Sequence, residues 1–356
     1  MDFKNRIKAK LVLQDGSVFH GFSFGAKKSI AGEVVFNTGM VGYPESMTDP
    51  SYKGQILTLT YPLIGNYGVP PKESEDDLLK FFESDKIQIQ GLVISDYCEK
   101  PSHWNSVKSL SEWMQDEGIP GIFGVDTREL TKKLRTKGAM LGKIIVDKDV
   151  RFYDPNKKNL AAQVSIKEPI TYERGHTKIV AVDTGIKNNI IRSFLDRNIT
   201  VIRVPWNYDF NKLNYDGLFL SNGPGDPKMC KATIANVKVA LAQGKPTFGI
   251  CLGNQILALA AGGDTYKLKF GHRSQNQPCI EVGTKRCYIT SQNHGYAVRT
   301  KSLPRGWKSW FVNANDNTNE GIKHMKKPFM SVQFHPEATP GPVDTAFLFD
   351  RFIEMI

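Results

Sequence analysis

Residues 178–356 predict a doubly wound α/β domain on a largely parallel sheet, and residues 1–146 predict a separate, mixed α/β domain. Three observations lead there. In the later part, short apolar runs (KIVAVD, YDGLFL, KPTFGIC) alternate with segments whose apolar residues recur at helical spacing. That is the pattern of strands buried on both faces between helices. The earlier part mixes strand-like and helix-like segments without that repetition. Between them, residues 147–177 are polar, carry Pro155 and Pro169 and keep no period, so they read as a linker.

In chain order, KLVLQ-DG-SVFHG reads as a hairpin around Asp15-Gly16, a pair favoured in type I′ turns. Residues 31–69 alternate β-rich runs (EVVFNT, QILTLTY) with Gly and Pro. An acidic, helix-like stretch from Glu73 to Ser84 precedes a strand, IQGLVISDY. A helix (SVKSLSEWMQDEG), a short strand (IFGVD) and a basic helix (TRELTKKLRTKG) complete the domain. The second domain reads strand KIVAVD, helix TGIKNNIIRSFLDRN, strands TVIRVPW and YDGLFLSNG, helix TIANVKVALAQG, strand KPTFGIC and helix LGNQILALAAG. CYITSQN and FMSVQFHP are later strands, and DTAFLFDRFIEMI is the final helix.

Composition excludes several classes. No apolar run reaches the roughly 18 residues of a membrane span, and the N-terminus lacks the apolar core of a secretory signal. A cytoplasmic location is expected. Five cysteines, an odd number without a CxxC pair, argue for free thiols and against disulfides or a zinc site, so no metal is expected. The net charge of +11 is spread along the chain without a nucleic-acid-binding motif. It reads as a solvated surface, and neither nucleic acid nor membrane is expected as a partner. No nucleotide-binding glycine loop occurs, since GFSFGAKKS has the wrong spacing.

Four segments carry chemistry or suit a ligand. In TFGICLGNQ, Cys251 sits between Gly249 and Gly253 where a strand becomes a helix. Such an elbow exposes a nucleophile and sets its thiolate at a helix N-terminus, with the Leu252 N–H aimed at an oxyanion. The competing reading is an inert buried cysteine. In SVQFHPEATPG, His335 and Glu337 lie two apart at a strand end, where i and i+2 share a side. There a carboxylate would orient an imidazole base, or the pair is incidental. In LSNGPGDP, the turn through Asn222, Gly223, Pro224, Gly225 and Asp226 offers a second oxyanion donor from Gly225, or is only a turn. SQNHGYAV adds Asn293, His294, Gly295 and Tyr296, suited to holding a small polar ligand, although His294 fits a structural core position equally.

With these residues laid out, nearly the whole chain resembles the glutaminase (small) subunit of carbamoyl phosphate synthetase. FGICLGNQ, SNGPGDP, SQNHGYAV and QFHPEATPGP resemble class I glutamine amidotransferases. GEVVFNTGMVGYPESMTDPSYKGQILTLTYPLIGNYG and GVDTRELTKKLRTKGAMLGK resemble that subunit's own N-terminal domain. The resemblance implies Cys251 as nucleophile, His335 as base and then acid, and Glu337 as its orienter. It implies L-glutamine bound by Ser51, Gly223, Gly225, Leu252, Gln255, Asn293, Gly295 and Tyr296, with Ser51 reaching the site from the first domain. It also implies ammonia passed through a tunnel to a large synthetase component that binds ATP and bicarbonate, with no cofactor in this chain. Asn254 and Tyr296 depart from many members, which carry His and Phe. Ammonia-dependent relatives share that Asn but have lost the cysteine, so the alternative is a weak or silent regulatory subunit. VPWNYDFNKLNYDG and NANDNTNEGIKH resemble eukaryotic fused synthetases, which implies one piece of a multifunctional pyrimidine-pathway protein.

Overall fold

The computed structural model describes residues 6–356 and divides between Lys157 and Lys158 into two units. In the first, seven strands close into a barrel in the order Lys8–Leu13, Met140–Ile145, Ile30–Asn37, Gln55–Leu59, Gly91–Val93, Pro120–Phe123, Val18–Gly25. Closure leaves none of these strands with an unpaired edge. Strand alternation sorts the buried residues into two sets. Val35, Leu57, Leu92 and Phe123 belong to a core shared with Trp113 and Met114 of the helix Leu110–Asp116. Val34, Ile56, Val93 and Ile122, the alternate positions, are equally buried.

Two local expectations change here. The hairpin after Leu13 has a three-residue loop, in which only Gly16 has positive φ (+85°). Its N–H donates to the Leu13 carbonyl. A type I′ turn needs two such residues. That conformation occurs instead inside the acidic stretch expected as a helix. Ser74–Glu75 and Leu78–Leu79 pair antiparallel across Asp76 and Asp77, with φ of 55° and 60°. Clustered carboxylates repel along a helix, while Asp is tolerated at left-handed turn positions.

The second unit is built on a ten-stranded sheet. Five strands, Thr200–Pro205, Lys178–Asp183, Gly217–Leu220, Thr247–Ile250 and Phe329–Val332, run parallel. Asn319–His324, Trp307–Asn313, Thr265–Glu281 and Cys287–Val298 extend them as an antiparallel wing. Helices cover both faces of the parallel part. Leu218 and Leu220 pack with Val237 and Ile256 of the helices Lys231–Gln243 and Leu252–Ala261. Phe219 and Phe248 pack instead, mostly edge-to-face, with Phe194, Phe349 and Phe352 of Asn188–Leu195 and Phe347–Ile353. Residues 158–177, expected to be linker, join this unit. Ile170–Tyr172 adds an antiparallel edge strand beside Thr200–Pro205, and Leu160 and Ala161 are buried. Among the described residues no helix is long and apolar enough to cross a membrane. Residues 1–5, part of the segment read for a secretory signal, lie outside the described residues.

Candidate active site

Four of the parallel strands end at one sheet edge, where functional groups of doubly wound folds collect. Cys251 follows Thr247–Ile250 and opens the helix Leu252–Ala261. Its backbone adopts φ 56° and ψ −104°, a conformation few side chains accept. The flanking glycines make that bend possible. A Cβ on Gly249 would meet the Gly253 carbonyl group at 2.7 Å, and one on Gly253 would meet the Leu220 oxygen at 2.1 Å. The helix start is thereby pressed onto two neighbouring strands. Cys251 is only 2% exposed. Its thiol lies 3.6 Å from the Asn293 carbonyl, and its N–H is held by the Val332 carbonyl. Leu252 is buried in the core through its side chain. Its N–H, at the first helical position, has no acceptor within the helix.

His335 and Glu337 come together from a turn that starts three residues past the strand Phe329–Val332, rather than from the strand end itself. The His335 N–H donates to the Ser291 carbonyl, and Nδ1 donates to Glu337 Oε1 at 2.6 Å. Burial alone would lower the imidazole's affinity for a proton, but the Glu337 carboxylate and the nearby Cys251 sulfur raise it above the ordinary value. His335 Nε2 is buried without a hydrogen-bond partner. Burial would push Glu337 up, but Lys187 and His335 hold its carboxyl below the ordinary range.

Lys187 and Asn189 are functional positions that sequence reasoning missed. Lys187 ends the segment after Lys178–Asp183, is 4% exposed, and donates Nζ to Glu337 Oε1 at 3.1 Å and to the Ala338 carbonyl at 2.6 Å. Asn189 donates Nδ2 to the Glu337 carbonyl and to Thr339 Oγ1. Together they clamp a turn whose next residues, Ala338 and Thr339, both have positive φ. The one available signal was position: KIVAVDTGIK ends a buried strand at the same edge as KPTFGIC.

The remaining residues of the proposed glutamine set fall as follows. Gly223 and Gly225 form the loop after Gly217–Leu220, where a Cβ on Gly223 would meet the Thr184 oxygen at 2.0 Å. Asn222 accepts the Lys187 N–H there. Gln255 Nε2 donates to the Tyr296 carbonyl (2.9 Å) and Gln333 Oε1 (3.2 Å), leaving Oε1 buried without a partner. Asn293, Gly295 and Tyr296 lie on the strand Cys287–Val298. Asn254 is fully buried between Ser331 Oγ and Gln333 Oε1. Ser51 belongs to the first unit, on the 3-10 turn Pro50–Tyr52, where its N–H donates to Asp49 Oδ1.

Residues 11–144 match the family described as the carbamoyl-phosphate synthase small chain, CPSase domain, and residues 180–355 match the class I glutamine amidotransferases. The chain is 56% identical over 354 residues to the Multifunctional protein CAD of Squalus acanthias, across 97% of the chain and 16% of that protein. It is 51% identical to the Multifunctional protein pyr-3 of Neurospora crassa, across 97% and 21%. It is 52% identical to the human mitochondrial carbamoyl-phosphate synthase (ammonia), across 98% and 24%. The chain therefore spans about a sixth to a quarter of the length of these relatives. It belongs to the carbamoyl-phosphate synthase small-chain family, its first part the CPSase domain and its second a class I glutamine amidotransferase domain.

Proposed function

We propose that the chain hydrolyses L-glutamine to glutamate and ammonia, and that the ammonia feeds a carbamoyl phosphate synthetase component. One arrangement carries this reading: Cys251 on a strained elbow, next to an imidazole whose far nitrogen is tied to a buried carboxylate. The thiolate attacks the carboxamide carbon and forms a C–S bond. Charge gathers on the former carbonyl oxygen, where the Leu252 and Gly225 N–H groups are the donors. His335, holding the proton it took from the thiol, passes it to the leaving nitrogen, so the C–N bond breaks and ammonia departs. Water then gives a proton to His335 and adds to the γ-glutamyl thioester, and collapse releases glutamate and the thiol. Glu337 keeps the imidazole in one orientation throughout, and Lys187 keeps Glu337 ionised.

Glutamine would rest among Gly223, Gly225, Leu252, Gln255, Asn293, Gly295 and Tyr296, with Ser51 contributed by the first domain. The unpartnered Gln255 Oε1 is an acceptor suited to a substrate N–H. ATP and bicarbonate belong to the synthetase component, and no cofactor is assigned to this chain. Both multifunctional and ammonia-named relatives match nearly the whole chain; the presence of Cys251 favours glutamine hydrolysis over a silent regulatory role. Quenching the chain during turnover of labelled glutamine, with the synthetase component present, tests the reading. A γ-glutamyl adduct on the Cys251 peptide is the expected result. Turnover with label on no cysteine would refute it.

A further inference from the structure

A second cluster of the amidotransferase unit is built from three strands of the antiparallel wing. His272 comes from Thr265–Glu281, His294 from Cys287–Val298 and Glu320 from Asn319–His324. All three are buried, and one nitrogen or oxygen from each lies within 4.8 Å of the others. Glu320 Oε1 is 3.1 Å from His272 Nδ1 and 3.7 Å from His294 Nε2. Ligands about 2.0–2.2 Å from a tetrahedral ion stand roughly 3.3–3.6 Å from one another, so the spacing suits a metal.

The outer atoms are tied as those of ligating histidines are. His272 Nε2 donates to Asp316 Oδ2 at 2.9 Å, and His294 Nδ1 donates to the Tyr296 carbonyl at 2.9 Å. A carbonyl only accepts, so Nδ1 of His294 carries the hydrogen and Nε2 of the neutral ring presents a lone pair. Gln292 Oε1 lies 3.1 Å from that lone pair. The amide is held this way round because its Nε2 donates to Cys279 Sγ and Thr290 Oγ1, each at 3.2 Å. At His294, therefore, two electron-pair donors face one another, and the buried Glu320 Oε2 has no hydrogen-bond partner. Glu320 and Asp316 bring two negative charges; a proton on His272 pairs with both while no ion is bound, and a divalent ion would displace that proton and take its place.

We infer that His272, His294 and Glu320 bind a divalent cation of the zinc type, with its fourth position facing Gln292 Oε1. Two imidazoles and one carboxylate select zinc over calcium or magnesium, which prefer all-oxygen sites. The ion would pin Asn319–His324 to Thr265–Glu281, which are not neighbours in the sheet. It would also brace the strand whose Tyr296 carbonyl receives Gln255. The sequence offered no metal signature because His272 and Glu320 are 48 residues apart and meet only through the sheet.

The test uses the full chain carrying Cys251→Ala and Cys287→Ser, so that neither the active-site nor the exposed thiol competes for metal. After chelator treatment it is titrated with zinc sulfate by calorimetry and with cobalt(II) by visible absorption. One equivalent of zinc and the strong bands of four-coordinate cobalt are expected. Glu320→Gln should abolish both, and Asp316→Asn should weaken zinc binding about 10–100-fold. X-ray absorption of the zinc-loaded chain, which needs no ligand variant to fold, should show only nitrogen and oxygen at about 2.0–2.2 Å. Absence of stoichiometric zinc, sulfur in the zinc shell, or binding unchanged by Glu320→Gln would overturn the inference.

Discussion

Two of the buried histidine–carboxylate pairs in the second unit differ at the nitrogen away from the carboxylate. In His335–Glu337 the carboxylate holds one nitrogen at 2.6 Å, while the other is unbonded beside a thiol. In His272–Glu320 the carboxylate holds Nδ1 at 3.1 Å, and Nε2 is occupied by Asp316. The first ring has somewhere to send a proton; the second has both ends engaged. Burial and a carboxylate therefore do not identify a catalytic histidine. What stands at its second nitrogen does.

The comparison is broken most directly by removing the thiol. Cys251→Ala should lower glutamine hydrolysis by about 10⁴-fold or more; steady-state glutamate release within tenfold of the parent would erase the distinction between the pairs. Next in size, Glu337→Gln should cost roughly 10²–10⁴-fold in kcat, since the imidazole loses its orienter. The same change removes the charge that most raises His335, leaving Cys251 alone against the lowering by burial. The alkaline limb of the kcat/KM profile should then move to lower pH, and an unmoved limb would assign it to another group.

Lys187→Met sharpens the electrostatic half. Because the folded carboxyl of Glu337 is held below the ordinary range, it contributes stability above that range and loses it as pH falls through the lowered value. Without Lys187 the carboxyl rises, so acid destabilisation should begin at higher pH. Unfolding in urea at neutral pH should show a loss of about 3–5 kcal/mol, the usual result of leaving one half of a buried pair. A loss below about 1 kcal/mol, with an unchanged acid limb, would mean that His335 alone stabilises Glu337. Smallest in effect, Asn254→Ala should cost about 1–3 kcal/mol by stranding the Ser331 hydroxyl and leaving Gln333 Oε1 with Gln255 Nε2 alone. Denaturant midpoints with unchanged slope would register it.

Much of this site can be read from the letters alone. Cys251 between two glycines and His335 two residues before Glu337 are local patterns, and the parallel sheet dictates that their segments end at one edge. Lys187 escapes that reading because a lysine before NNIIRSFL looks like any solvated helix start; only the Glu337 turn, 150 residues on, makes it a buried partner. The barrel escapes for a related reason. Six of its seven strands fall in runs that read as strands, but Met140–Ile145 does not, and its pairing with Lys8–Leu13 spans the whole domain. Residues 158–177 look like linker because their few apolar side chains, Leu160 and Tyr172 among them, are too sparse to show a period. The acidic stretch at 73–84 looks helical by composition, which says nothing about the two consecutive left-handed residues that turn it back.

The backbone at Cys251 carries a further implication. A side-chain-bearing residue held at φ 56° and ψ −104° sits on a slope of about 1–3 kcal/mol that glycine would not feel. Glycine's greater freedom in the unfolded chain returns about 0.5–1 kcal/mol of that gain. In Cys251→Gly that release is set against an emptied pocket, since Cys251 is only 2% exposed. The elbow keeps its sulfur in a posture that the backbone resists and the packing rewards.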